Sequence, residues 1–90
     1  MPTHNPDQNS GLIMVLSPAN TTCDNENCGE KILRGADVFM DIINSSSLCR
    51  PCGERLRYHR KKWSERGWAM PKTLKEVEET FRRLGLGPGA

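Results

Sequence analysis

Two close cysteine pairs, a small apolar content and a change from strand-like to helical patterning after Cys49 predict a small α+β domain held together by a metal ion. The chain has 90 residues, enough for one domain and not for two. Leu, Ile, Val and Phe supply 17 of them. That is too little apolar surface for the core alone to stabilise so short a chain, and the cysteines are the one staple available.

Residues 1–10 are polar, with Pro2 and Pro6 and no basic side chain, and read as a disordered lead. The apolar run Leu12 to Leu16 is a short strand ended by Ser17-Pro18. It is too short for a signal-peptide core or a membrane span. The expected location is therefore intracellular, in cytoplasm or nucleus, with no membrane partner. Thiols stay reduced there, so paired cysteines point to a metal rather than to disulfides.

Cys23 to Gly29 is a turn-rich loop in which Gly29 is free to take positive φ. Lys31 to Arg34 and Val38 to Ile43 read as two strands of a hairpin, with Gly35-Ala36-Asp37 as the tight connection. Asn44 to Ser47 breaks the second strand before Leu48-Cys49. From Arg50 the pattern is helical. Pro51 suits the first turn, Cys52, Leu56, His59 and Trp63 share one face, and Gly67 ends the helix. A second helix opens at Thr73 with the capping-box partner Glu76 and carries the stripe Leu74, Val77, Phe81 and Leu84 before Gly85. Glu78 with Arg82 and Glu79 with Arg83 are favourable i,i+4 pairs on it. The expected division is a lead at 1–10, a metal-binding domain at 11–72, an amphipathic helix packed on it at 73–84, and a flexible tail at 85–90.

The spacing Cys23-x4-Cys28, twenty residues, Cys49-x2-Cys52 is the strongest signal in the chain. Two turns that each present two thiolates satisfy a tetrahedral ion, and four sulfurs leave no open position for water. One structural Zn2+ is expected, in preference to iron. His4 and His59 read as a surface and an inward-facing side chain rather than as ligands.

A cysteine turn, a hairpin and a helix opened by the second pair resemble a treble-clef zinc finger. Leu48-Cys49-x2-Cys52-Gly53, Tyr58-His59 and Met70-Pro71-Lys72 resemble GATA-type zinc fingers over roughly residues 23 to 72. The resemblance implies a structural zinc ion and DNA contact from the helix. The chain departs from that pattern in four ways: four residues within the first pair, no tryptophan in Lys31 to Arg34, Arg50-Pro51 in place of Asn-Ala, and a second helix in place of a basic tail. The cysteine framework is also shared with LIM-like protein-binding modules.

The formal net charge of +2 is uneven. Residues 1–48 carry two basic and six acidic side chains, residues 49–68 seven basic and two acidic. On the helix Arg50, Arg57 and Lys61 form one flank, and Arg55, Lys62 and Arg66 the other, with Glu54, Tyr58 and Glu65 between them. This pattern makes Arg50, Arg55, Arg57, Tyr58, Lys61, Lys62 and Arg66 candidates for nucleic-acid contact, and the alternative is a solvated helix face. Trp68 is a candidate for stacking on a base.

The expected function is a non-catalytic, monomeric nucleic-acid binder, DNA foremost, in a transcription-related setting. The alternative is a protein-interaction module, or a small regulator of the phage or plasmid kind, docking through its C-terminal helix on a larger machine. An enzyme is not expected. There is no Gly-rich phosphate loop, and residues 31–43 lack the histidine that an HNH-type nuclease requires.

Overall fold

The computed structural model describes residues 10–85, so the expected lead before Ser10 and the tail after Gly85 lie outside it. The described chain runs through five strands and two helices. Strands β1 (Leu12–Leu16), β4 (Asp37–Asp41) and β5 (Ser46–Cys49) form an antiparallel sheet in the order β1-β4-β5. Strands β2 (Thr21–Thr22) and β3 (Lys31–Ile32) pair with each other and flank the first two cysteines. Helix α1 (Arg50–Glu65) follows β5 directly, and α2 (Leu74–Arg83) follows a short connector.

The expected hairpin of Lys31–Arg34 with Val38–Ile43 is not what forms. β3 turns back on β2, and β4 pairs instead with β1 and β5. The cause is local. Gly35 adopts φ +86°, its N–H donates to the Ser17 carbonyl, and the Ser17 N–H donates to Ala36. These bonds tie the turn after β3 to the end of β1, so β4 runs back along β1 from Leu16↔Asp37 to Leu12↔Asp41. The true hairpin is β4–β5. Its turn is organised by the Asp41 carboxylate, which accepts from the backbone N–H groups of Ile43 and Asn44. Ser46-Ser47, expected to break a strand, are its first residues in β5.

Cross-strand neighbours share a face. Leu12, Phe39, Asp41 and Leu48 therefore face α1, which covers them with Leu56 and with the backbone of Gly53. A methyl group on Gly53 would lie 2.1 Å from the Phe39 ring, so glycine is what lets α1 approach β4.

One charge sits at the centre of this packing. Arg60 is 0% exposed and meets Asp41 end-on, Nη1 to Oδ1 at 3.1 Å and Nη2 to Oδ2 at 3.0 Å. The remaining guanidinium N–H groups donate to the carbonyls of Ser10, Pro71 and Lys72. All five donors are thus satisfied. The expected inward set Cys52, Leu56, His59, Trp63 is corrected accordingly. The buried residues of α1 are Cys52, Gly53, Leu56, Arg60 and Trp63, and His59 is half-buried against Phe81 of α2.

Helix α2 is capped as the sequence implies. The Thr73 hydroxyl accepts from the Glu76 N–H, and the Glu76 carboxylate reaches back to the N–H of Lys72, one residue before the expected Thr73. Leu74 and Val77 are buried, while Glu78 faces Arg55 of α1 at 4.0 Å.

Two outcomes follow for stability. Arg60→Met should lower unfolding free energy by about 3–5 kcal/mol, because Asp41 is left charged and buried. Added to Asp41→Asn, it should give a double-mutant loss well below the sum of the singles. Urea denaturation of the metal-loaded protein measures both. Gly53→Ala should cost about 1–3 kcal/mol through overpacking against Phe39. It should spare the helical signal in circular dichroism.

Candidate metal centre

Cys23 follows β2, Cys28 lies in the loop before β3, Cys49 ends β5 and Cys52 lies in the first turn of α1. Residues far apart in sequence thus converge because the loop docks on the sheet. The Asp24 N–H donates to the Ser47 carbonyl at 2.8 Å, and the Ser47 N–H donates to an Asp24 carboxylate oxygen at 2.7 Å. Within the loop, the Cys28 N–H donates to Asn25, and Gly29 closes the turn at φ +65°. The positive φ expected at this glycine is present.

The four sulfurs all lie within 4.8 Å of one another, and Cys28 Sγ and Cys49 Sγ are 3.7 Å apart. Four sulfurs at about 2.3 Å from a tetrahedral ion would be spaced by about 3.8 Å. Four sulfurs gathered this closely could hold a single metal ion. Cys23, Cys49 and Cys52 are buried and Cys28 is exposed.

Electrostatics point the same way. Burial pushes the Cys23 thiol up, and pushes Cys49 up more strongly. A backbone hydrogen bond from Glu30 holds Cys28 below its ordinary value. Thiolates crowded into a buried cluster repel one another, and a divalent cation reverses that balance. Asn25 adds an outer contact, its Nδ2 donating to Cys52 Sγ at 3.3 Å.

The basic residues of α1 are placed unequally. Arg50 is tied to Asp37 and to Glu54, Arg55 reaches Glu78, and the Arg57 guanidinium lies over the Phe39 ring at 5.4 Å. Lys61, Lys62 and Arg66 are exposed on the C-terminal half with Tyr58. Lys62 contacts Glu65 at 3.8 Å and sits 5.7 Å from the Tyr58 ring. Trp63 is buried as expected of an inward residue, and Trp68 packs nearly perpendicular to it. Sequence reasoning missed Arg60 and Asp41. The available signal was that Arg60 lies four residues from Leu56 and three from Trp63, within the inward stripe.

No family model, curated protein or solved structure matches this chain. Among the described residues, no helix is long and apolar enough to cross a membrane.

Cys49→Ser should abolish stoichiometric metal uptake, because it removes a buried donor from the junction of β5 and α1. Metal content by mass spectrometry of the reduced protein reads this. Chelation of the wild type should unfold the cysteine loop first, while the Leu12↔Asp41 end of the β1–β4 ladder, three residues along β4 from the Val38 that pairs with Cys49, is lost later; hydrogen exchange resolves the order.

Proposed function

We propose that this chain is a treble-clef zinc-binding module with an added C-terminal helix, in which one structural Zn2+ is held by Cys23, Cys28, Cys49 and Cys52. A four-thiolate donor set favours zinc over the hard cations, which prefer oxygen. Four protein sulfurs also fill a tetrahedral shell, which supports a non-catalytic role.

The module is proposed to bind nucleic acid through α1. The observation that carries this reading is the exposed ridge of Tyr58, Lys61, Lys62 and Arg66, opposite the stripe buried against the sheet. Its footprint is the C-terminal half of the helix, where Lys61, Lys62 and Arg66 lie with Tyr58, while Arg50 and Arg55, also exposed, pair with acidic groups of other elements. Three phosphate contacts from Lys61, Lys62 and Arg66 would serve as the electrostatic anchor.

A second reading, a protein-docking module, draws on a different surface. Ile13, Leu16, Met40 and Ile42 are exposed around the outer strand β1. It draws less on α2 than the amphipathic pattern implies, because Leu74 and Val77 are buried within the chain.

A salt titration tests the nucleic-acid reading. For three phosphate contacts, log affinity against log salt should fall with a slope of about −2 to −3. Lys61→Glu with Arg66→Glu should remove most of that dependence and leave metal content unchanged. Absence of binding to both single strand and duplex at low salt would overturn this reading.

A further inference from the structure

The exposed half of α1 carries aromatic rings as well as charge, and the rings decide which nucleic acid it suits. Tyr58 is 57% exposed and Trp68 is 41% exposed. Neither is a stray apolar side chain. Trp68 packs nearly perpendicular to the buried Trp63, with centroids 5.7 Å apart and planes at 78°. Its orientation is thereby held although the ring stays open to solvent. Each ring also has a cation over it, Lys62 Nζ at 5.7 Å from Tyr58 and Arg66 Cζ at 5.2 Å from Trp68.

The spacing of these pairs matters. Tyr58 and Arg66 are eight residues apart, roughly 12 Å along a helix that rises 1.5 Å per residue. A length of that order accommodates several nucleotides of one strand along the basic side chains between them. Bases in a duplex have both faces covered by their neighbours, so two exposed rings offer it nothing beyond their edges. An unpaired strand offers free base faces, and base–aromatic stacking tolerates any sequence. Glu65, within the ridge and 3.8 Å from Lys62, also disfavours a close approach by both backbones of a duplex.

We infer that the C-terminal half of α1 and Trp68 form a platform for single-stranded nucleic acid, on which Tyr58 and Trp68 each stack a base while Lys61, Lys62 and Arg66 hold the intervening phosphates. The inference rests on the nucleic-acid reading above and adds the strandedness and the stacking residues to it. In the free protein Lys62 and Arg66 lie over the rings, and on binding they give up that position to a base and turn to its phosphates.

The test uses the full metal-loaded chain at low salt, with an oligothymidylate of about 12 nucleotides and a duplex of the same length as probes. Fluorescence anisotropy should show tighter binding to the single strand. Tyr58→Ala and Trp68→Ala should each weaken it by roughly ten-fold or more, in keeping with the per-base stacking contribution. Trp68→Phe should restore most of the affinity, and it guards against a packing defect at Trp63. Tyr58→Ala, at an exposed position, leaves the fold untouched. Preference for the duplex, or single-strand binding insensitive to both alanine variants, overturns the stacking platform while leaving nucleic-acid binding in place. Failure of both probes to bind overturns the platform together with the reading beneath it.

Discussion

The ion pair between Arg60 and Asp41 sets the geometry on which the rest of this structure depends. Burying two charges is unfavourable unless each lone pair and each N–H finds a partner. Here the guanidinium has Asp41 and three carbonyls, and Asp41 also accepts from Ile43 and from both nitrogens of Asn44. Those partners belong to four segments: Ser10 ahead of β1, the β4–β5 turn, α1 and the connector to α2. The observed arrangement of the four satisfies every guanidinium donor. A polar centre of this kind adds little net stability compared with an apolar one, but it specifies where each segment goes.

The orientation of α1 that follows has consequences at both ends of the helix. At its start, Gly53 against Phe39 brings the first turn close to the sheet, so Cys52 arrives beside Cys49 at the end of β5. The cysteine loop is brought in separately, by the reciprocal bonds of Asp24 and Ser47. The sulfur cluster is therefore the meeting point of two independently docked pieces. A metal ion held there would join them across a twenty-residue connection, which suits a chain with so small a core.

At the other end, the same orientation sorts the basic residues. Arg60 is spent inside the fold. Arg50 and Arg55 stay at the surface but pair with Asp37 and Glu78 of neighbouring elements, Arg57 lies over Phe39, and Lys61, Lys62 and Arg66 cluster with Tyr58 and Trp68. A count of seven basic residues in this stretch thus overstates the charge that an outside partner meets. Position within the fold separates Arg60, which is buried, from basic residues of identical chemistry that stay exposed.

Features encoded by near neighbours were legible in the sequence alone. The cysteine spacing, the start and stop of α1, the Thr73 cap of α2 and the strand at Leu12 to Leu16 each depend on a few adjacent residues, and each is found where the pattern places it. Strand pairing was not legible, because Gly35 permits more than one exit and the choice was made by Ser17, eighteen residues earlier. Nor was β5, since Ser46-Ser47 has no strand pattern of its own and is ordered by β4 and by Asp24. The burial of Arg60 was the least legible of all. A charge enters a core only when remote segments bring every partner it needs, and that condition exists only once the chain has folded.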